Sequence, residues 1–187
     1  MSNEIECEST LLTAIENLDA LVSSYLGTLQ FSSSVSIDKM INDVDSKTNK
    51  FVYDISGIYF IEVKTSAFCR GKKDWKEEFI KFWDEDKFHG CFTPKSKKKR
   101  LDAHNERQLW TPLYIGKCQN IRKRLINHRD LRLDQRTRGL KLNARGIYKN
   151  SSNFRVSYIP VSKDLYSSIS SKVETHFREE INPIVGI

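Results

Sequence analysis

PLYIGKCQNIRKRLINH, residues 112–128, places five basic or potentially basic side chains directly behind a short apolar run. The run LYIGK predicts a β-strand that breaks at Gly116, where a backbone must turn or approach another group closely. Three interpretations are open for the basic part: an ordinary solvated helix face, a patch that holds nucleic acid, or a site that performs chemistry on a phosphate. The five side chains are Lys117, Arg122, Lys123, Arg124 and His128.

The basic part is predicted to be helical from Asn120 to about Leu131. Ile121 and Leu125, four residues apart, give it an apolar stripe, and the segment contains no Gly or Pro. Arg124 and His128 are also four apart, so their side chains point from neighbouring turns of one helix edge into the same small volume.

Further strands and helices lie on both sides of this stretch. GIYFIEVKT, residues 57–65, and FRVSYIPV, residues 154–161, are rich in β-branched and aromatic residues and are predicted to be strands. The last helix is the clearest element, because five apolar residues recur at every fourth position: Leu165, Ile169, Val173, Phe177 and Ile181. The order of elements predicts a small α/β (α+β) domain whose three-stranded sheet is flanked by helices.

The first fifty residues differ from the rest of the chain in charge. They carry 3 Lys and Arg against 8 Asp and Glu, a net of −5, which leaves +12 on residues 51–187 of a chain whose total is +7. We expect residues 1–50 to be an acidic helical extension and 51–187 to be a basic domain that meets a polyanion, with nucleic acid the first candidate. The predicted helix of the extension would pack on the basic domain or on a second copy of the chain. Its apolar residues at helical spacing are Leu11, Leu12, Ile15, Leu18, Val22 and Leu26.

Residues 66–111 are predicted to be an insertion between the first two strands, with a helix of its own. KKDWKEEFIKFWDED, residues 72–86, is amphipathic, and Trp75, Phe79 and Phe82 fall at helical spacing. A basic loop follows. Three interpretations of it remain open: a nuclear localisation signal, a loop exposed to solvent, and a loop that contacts phosphates. Its basic residues include Lys97, Lys98, Lys99 and Arg100.

The composition argues against several classes of protein. No apolar run approaches the roughly 18–20 residues of a membrane helix, and the acidic start MSNEIECEST is unlike a signal peptide, so we expect a cytoplasmic protein without a membrane partner. The cysteines at positions 7, 69, 91 and 118 form no CxxC pair, which argues against a disulfide framework and against a zinc site of standard spacing.

Five elements together resemble the GIY-YIG nuclease family. Gly57-Ile58-Tyr59 lies on the first predicted strand and Tyr114-Ile115-Gly116 on the second. Arg124 follows that glycine by eight residues, His128 lies four further on, and Glu174 lies on the last helix. Each tripeptide alone is a weak signal, but five elements in this order, on these secondary structures, form a specific pattern. The resemblance covers residues 57–186 and implies a DNA endonuclease with a small, mainly antiparallel, three-stranded sheet, the GIY-YIG fold.

The resemblance also implies roles for the charged residues. Glu174 would hold one divalent metal ion, Mg²⁺ or Mn²⁺, against the phosphate, and a lone carboxylate suits an ion that keeps most of its water. Arg124 would bind the non-bridging phosphate oxygens with its planar guanidinium. Arg122 and Lys123 are assigned to backbone phosphates of the DNA or to solvent, and the basic loop at 97–100 is assigned to backbone phosphates.

The general base is left open among three residues. By resemblance, Tyr59 or Tyr114 orients or deprotonates the attacking water, and because a phenol has a pKa of about 10, nearby cations must favour the phenolate. Lys117, Arg124 and His128 are expected to surround Tyr114 for this purpose. His128 could instead take the proton itself, since imidazole titrates near neutrality.

Two features depart from the family pattern. Pro183 is not followed by the asparagine that often comes three residues later, so Asn182 or another side chain must supply its contribution. The insertion at 66–111 is much longer than the usual connection and is expected to wrap DNA or determine sequence preference.

The expected function is Mg²⁺-dependent hydrolysis of DNA to 5′-phosphate and 3′-hydroxyl ends by a small restriction-type or defence-related enzyme. A homodimer would explain cleavage of both strands. A structure-selective repair or mobile-element nuclease is the alternative within the enzyme class. Outside that class, the alternative is a DNA-binding domain with a silenced site, which would bind in a strongly salt-dependent way and release no product.

Overall fold

The computed structural model describes residues 2–69 and 74–186, which form two compact units, Met1–Gln30 and Phe31–Ile187. The first unit contains one helix, α1 (Ser2–Thr28). The helices of the second unit are α2 (Ile37–Asn42), α3 (Trp75–Trp83), α4 (Lys98–Asp102), α5 (Ile121–Asp130) and α6 (Lys163–Ile181). Its strands are β1 (Val35–Ser36), β2 (Val44–Asp45), β3 (Lys50–Phe51), β4 (Gly57–Lys64), β5 (Lys95–Ser96), β6 (Trp110–Cys118), β7 (Phe154–Pro160) and β8 (Val185–Gly186). No helix among the described residues is long and apolar enough to cross a membrane.

The N-terminal helix is present, as predicted, but it covers only part of the predicted extension. Residues 31–50 belong to the second unit. The reason is burial, because Ile37 and Met40 are fully buried in the core of that unit and Ile41 is nearly so.

A four-stranded antiparallel sheet forms the centre of the second unit. Its strand order is β1-β7-β4-β6, so β4 lies between β7 and β6, and β6 is an edge strand. The three long strands are those predicted, and the fourth, β1, corrects the prediction of a three-stranded sheet. β1 pairs only Val35 and Ser36 with β7, and two residues are too few to produce a detectable alternation. Two small sheets, β2–β3 and β5–β8, complete the strand pairing of the described residues.

Gly57 opens the central strand where two backbones come unusually close. It pairs with Cys118 of β6 on one side and with Pro160 of β7 on the other. A Cβ atom on residue 57 would lie 2.2 Å from the carbonyl oxygen of Ile159. The missing side chain therefore allows β4 and β7 to pair at this point.

Helix α5 confirms the predicted basic helix and its apolar stripe. Its N-cap is Asn120, whose side-chain oxygen accepts a hydrogen bond from the backbone N–H of Lys123 at 2.8 Å. Ile121 and Leu125 are fully buried, and so is His128 on the following turn. These three positions form the face by which α5 packs on β4 and β6.

Helix α6 confirms the predicted last helix and also packs on β4 and β6. Val173 and Phe177 of the predicted stripe are buried, whereas Leu165 is 46% exposed. The buried residues of α6 begin at Ser170, so the stripe extends beyond the part of the helix that meets the core. The C-cap of the helix is Asn182, whose backbone is left-handed, as is common just after a helix C-terminus.

The predicted insertion is present between β4 and β6, and it contains helix α3. Trp75 and Phe79 are buried as predicted, and Trp83 rather than Phe82 completes the buried face. The first residues of the predicted amphipathic segment, 72–73, lie outside the described residues.

The end of the insertion differs from the prediction in two ways. β6 begins at Trp110, so the insertion is slightly shorter than residues 66–111. The predicted basic loop contains a short helix, α4, because Leu101 is fully buried and anchors this turn in the core.

Candidate active site

Two tyrosines and a glycine meet where β4 and β6 pair. Tyr59 lies opposite Gly116, and Ile61 lies opposite Tyr114, so both phenols leave the same face of the sheet. Tyr59 is fully buried, Tyr114 is 5% exposed, and their ring centroids are 6.1 Å apart. A Cβ atom on residue 116 would lie 2.4 Å from the hydroxyl oxygen of Tyr59 and 2.7 Å from ring atom Cε1 of Tyr114. The glycine thus makes room for both rings.

His128 of α5 binds the hydroxyl of Tyr59 as a hydrogen-bond donor. Its Nε2 lies 2.7 Å from that oxygen, and its Nδ1 accepts a hydrogen bond from the backbone N–H of Leu140 at 3.0 Å. Nδ1 therefore carries no proton, and a neutral imidazole then has its proton on Nε2, facing Tyr59. Burial, and then the charge of Arg124, lower the pKa of His128 well below its usual value and keep it neutral.

Arg124 is the second donor to Tyr59. Its Nε donates to the hydroxyl oxygen at 3.3 Å, and its Nη1 donates to the backbone carbonyl of Arg138 at 2.8 Å. Burial opposes the charge of Arg124, but the two tyrosines outweigh burial, and the pKa of Arg124 is raised. Arg124 and His128 thus point into the same small volume, as predicted, and both bind the hydroxyl oxygen of Tyr59 there.

Tyr59 is a neutral phenol in this arrangement. Burial raises its pKa well above the ordinary value, Tyr114 raises it further, and the charge of Arg124 lowers it only in part. The N–H groups of His128 and Arg124 would both stabilise a phenolate at this oxygen, which is the form that a general base requires.

We expect the stability of the protein to fall as the pH drops below about 6.5, the ordinary pKa of histidine. Below that pH the unfolded chain protonates His128, whereas the folded protein does not, because its pKa is lowered. The unfolded state thus binds more protons, and acid favours it by up to about 1.4 kcal/mol per pH unit. Thermal unfolding measured between pH 8 and pH 5 checks this sign.

The variant for this prediction is His128→Gln, which replaces the fully buried imidazole by a side chain that does not titrate. His128→Gln should flatten that dependence. A wild-type ¹⁵N NMR spectrum with a proton on Nδ1 of His128 would contradict the assigned tautomer directly.

Lys117 and Glu174 form a second cluster, which involves the other face of the sheet. Lys117 lies three residues after Tyr114, so its side chain leaves β6 on the face opposite to the phenols. Its Nζ lies 3.9 Å from Oε2 of Glu174 and donates to the hydroxyl of Ser171. Arg178, one turn further along α6, binds Oε1 of Glu174. The expected place of Lys117 beside Tyr114 is thus corrected to a pairing with Glu174.

The two clusters adjoin the end of the same edge strand. Among the described residues no strand pairs with the outer side of β6, although the N–H of Ile184 binds the carbonyl of Pro112 near the start of the strand at 2.9 Å. A ligand at the other end of that edge, near Gly116 and Cys118, would lie between the two faces of the sheet. Tyr59 pairs with Gly116 of β6, and Lys117 is the next residue along that strand, so the two clusters begin at adjacent positions of β6 on its two faces.

The predicted phosphate-contacting residues of the insertion lie in different environments. Lys98 and Lys99 are exposed on α4, and Lys97 is half-buried at its N-cap. Arg100 is half-buried, and its Nη1 donates to the carbonyl of Pro183 at 3.5 Å. Burial lowers the pKa of Arg100, and Arg178 lowers it further.

Arg122, also assigned to backbone phosphates or solvent, is engaged within the protein. Its Nε donates to the carbonyl of Ile41 at 2.7 Å, and its guanidinium lies 3.3 Å from the ring centroid of Phe51. Asp54 is 3.9 Å away. These contacts join α5 to the segment before β4. Lys123, the next residue of α5, has an exposed side chain.

Three groups of the site were missed by sequence reasoning. Leu140 and Arg138 contribute a backbone N–H and a backbone carbonyl, which no pattern of side chains can reveal. Arg178 does have a signal in the sequence, because it lies four residues after Glu174 on a predicted helix, and that spacing favours an ion pair.

Glu174 is the residue that the resemblance assigns to a metal ion. Among the described residues no group of three or more His, Cys, Asp or Glu side chains is arranged to hold one. An ion bound by Glu174 would complete its shell with water and phosphate oxygens, a donor set that fits Mg²⁺. Arg178 occupies Oε1, whereas Lys117 is 3.9 Å from Oε2, beyond hydrogen-bond distance, so Oε2 is available as a ligand.

Comparisons with known proteins found no match: no family model, no curated protein and no solved structure matches this chain. The resemblance to the GIY-YIG nucleases therefore rests on the sequence motifs alone.

Proposed function

We propose that this chain is a GIY-YIG-type, metal-dependent DNA endonuclease, of the small restriction or defence kind. The observation that carries the proposal is the hydroxyl of Tyr59, whose oxygen receives N–H groups from His128 and Arg124. The pair Lys117–Glu174 lies at the end of the same edge strand. The proposal requires that a phosphate at the end of β6 reach a phenol and a guanidinium from one face of the sheet and a carboxylate from the other, which are the groups that phosphodiester hydrolysis needs.

The arrangement of the sheet supports this family. The strands that carry Gly57-Ile58-Tyr59 and Tyr114-Ile115-Gly116 are direct neighbours, and Tyr59 pairs with Gly116 across them. The helix with Arg124 packs against these two strands, and so does the helix with Glu174. We interpret the second unit as a GIY-YIG fold to which β1 and the insertion have been added.

In the proposed reaction a water molecule attacks the phosphorus atom, and the bond from phosphorus to the 3′ oxygen breaks. The water gives its proton to the enzyme, and the leaving oxygen takes up a proton, so the products are a 5′-phosphate and a 3′-hydroxyl. Arg124 is suited to bind the extra negative charge on the non-bridging oxygens, because its guanidinium is planar and permanently charged. Mg²⁺ or Mn²⁺ held by Glu174 would supply further positive charge at the phosphate.

We assign the acceptance of that proton to a tyrosine in its phenolate form, which has first lost its own proton to solvent, rather than to His128. The Nδ1 of His128 already accepts the N–H of Leu140, and its Nε2 carries the proton donated to Tyr59. His128 is thus a positioning residue, which would hold and stabilise Tyr59 as a phenolate. Tyr114, whose ring centroid lies 5.2 Å from that of His128, is the second candidate for the base.

Helix α1 supports a dimer of two such chains. Three of its apolar residues, Leu11, Ile15 and Leu18, are spaced four and three residues apart and are 60%, 47% and 57% exposed. This spacing is that of a coiled-coil seam, in which each helix buries its stripe against a copy of itself. A dimer would bring one active site to each DNA strand.

Two observations favour a second candidate, a DNA-binding domain with a silent site. Tyr59 is fully buried, and burial raises its pKa, so the base is not formed in this conformation. Arg178 binds Glu174, which weakens that carboxylate as a ligand for a metal ion. Such a domain would bind duplex DNA through the charge of +12 on residues 51–187 and release no product.

The experiment is cleavage of supercoiled plasmid by the purified protein with Mg²⁺, with Mn²⁺ and with EDTA. Glu174→Gln should abolish cleavage, whereas Glu179→Gln, an exposed carboxylate on the same helix, should retain it. Linear product without accumulation of nicked circles is the result expected of a dimer.

Three outcomes separate the candidates. Discrete fragments support the restriction-type enzyme. Nicked circles or smears with the same metal dependence indicate a repair nuclease or a nonspecific nuclease instead. Absence of metal-dependent product on plasmid and on branched DNA would overturn the enzyme, and a retained gel shift would then establish the silent binding domain.

A further inference from the structure

Phe92, in the insertion, has an unusual backbone and an exposed ring. Its φ is 50°, in the left-handed region that bulky side chains rarely adopt, and the residue is 48% exposed. Exposed apolar residues are common in themselves. A strained backbone that presents an aromatic ring to solvent is not common, because such strain persists only where the surrounding structure enforces it.

The residues on both sides of Phe92 are anchored by buried side chains. The carbonyl of Cys91 accepts a hydrogen bond from Nζ of Lys141 at 2.7 Å, and the hydroxyl of Thr93 accepts one from Nη2 of Arg145 at 2.9 Å. Lys141 is fully buried, and Arg145 is 5% exposed.

The anchoring extends on either side of this turn. The carbonyl of Pro94 accepts a hydrogen bond from Nε1 of Trp83 at 2.9 Å. Lys141 also donates to the carbonyls of Leu133 and Gln135, at 3.2 and 2.6 Å. Phe92 therefore stands on a turn that is fixed at Cys91, Thr93 and Pro94 and tied to the loop after α5.

The surroundings of the ring are basic. Phe92 lines a shallow cavity of about 230 Å³ together with Lys95, Lys97 and Arg138. Arg138 connects this place to the active site, because its carbonyl accepts the hydrogen bond from Nη1 of Arg124. An exposed aromatic ring among lysines and arginines is the combination by which proteins bind both the bases and the phosphates of a nucleic acid.

We propose that Phe92 is a wedge that stacks on a base step of duplex DNA beside the phosphate held by Arg124, with Lys95, Lys97 and Arg138 contacting the flanking backbone. This inference rests on the proposed function, since it requires DNA at the active site. A wedge must not bend away when it meets the base stack, and the anchored, strained turn meets that requirement. The strain in the free protein is then a cost that serves DNA binding.

The test uses duplexes of one bound sequence, each with 2-aminopurine at a different position, in EDTA so that nothing is cleaved. The wild-type protein should raise the fluorescence at one step, because the probe is unstacked there. Phe92→Ala should abolish that rise and weaken binding about tenfold or more. Phe92→Trp should retain both. The matched control is Leu109→Ala, since Leu109 is an apolar residue of the same insertion that is 71% exposed.

Phe92→Gly distinguishes a wedge from a structural residue. Glycine adopts a positive φ without strain, so this variant should unfold at a temperature no lower than that of the wild type while binding DNA more weakly. Loss of thermal stability in Phe92→Gly, with DNA affinity retained, would overturn the inference.

The failures of the two proposals are distinguishable by fluorescence anisotropy. If the wild-type protein binds no labelled duplex, both the proposed function and the wedge are wrong. If it binds, and Phe92→Ala binds equally well with an unchanged 2-aminopurine signal, only the wedge is wrong. A lower mass of Phe92→Ala in light scattering, with that signal unchanged, would assign Phe92 to contacts between protein chains and would also overturn the wedge.

Discussion

Replacement of Arg124 by alanine is expected to slow DNA cleavage by about 10³-fold or more, while the protein stays folded and still binds DNA. The change removes the guanidinium that would neutralise the phosphate in the transition state. It also removes the N–H that Tyr59 accepts at 3.3 Å and leaves the carbonyl of Arg138 without the donor now at 2.8 Å. The measurement is the single-turnover rate at saturating protein, because that rate reports the chemical step without binding.

Arg124→Lys tests whether charge alone is enough. Lysine keeps the positive charge but has one compact ammonium instead of a planar fork, so it cannot hold a tyrosine, a carbonyl and a phosphate together. We expect a loss of about 10²-fold.

The matched control is Lys123→Ala, one residue earlier on α5, where the side chain is exposed. It should leave the single-turnover rate close to that of the wild type and lower the salt dependence of binding by about one phosphate contact. A rate for Arg124→Ala within tenfold of the wild-type rate would remove Arg124 from the proposed chemistry.

Replacement of Gly57 by alanine is expected to lower the free energy of unfolding by about 3 kcal/mol or more. The new Cβ would lie 2.2 Å from the carbonyl oxygen of Ile159, and the obstructing group is backbone of the neighbouring strand. No side-chain rotation can relieve such a contact, so β4 and β7 must move apart at this point. Urea denaturation, with the midpoint and the slope fitted together, measures the loss.

Gly27→Ala is the control for this change. Gly27 lies near the end of α1, and a Cβ there would have nothing within 4 Å. Alanine is the better helix former by about 0.5–1 kcal/mol, so this variant should be as stable as the wild type or more stable. If Gly57→Ala denatured at the wild-type urea concentration, the close approach of β4 and β7 at this point would not exist in solution.

The central part of the fold was accessible from the sequence because its signals are periodic and local. Tyr59 and Tyr114 lie on predicted strands, and Arg124 and His128 were placed on one helix edge by their spacing alone. The expectation that Lys117 lies beside Tyr114 is wrong, because closeness in sequence along a strand is not closeness in space. A residue three positions from Tyr114 on a strand leaves the opposite face.

Other features carry no local signal at all. β1 pairs through two residues, and α4 exists because Leu101 reaches the core, so both depend on tertiary contacts rather than on periodicity. The tautomer of His128 depends on the backbone N–H of Leu140, twelve residues away. Only the folded chain reveals that contact. The contact decides that Nε2 of His128 donates a hydrogen bond to Tyr59 rather than accepting one.

The contacts of Arg138 and Leu140 with the two α5 side chains have a consequence for how the protein can evolve. Both are made by the main chain, so most substitutions at these two positions preserve the carbonyl and the N–H that the site uses. The number of residues between α5 and Leu140 is a different matter, since one residue more or fewer would shift both groups out of register with Arg124 and His128. Among descendants of this chain, the number of residues from 131 to 140 should therefore stay constant.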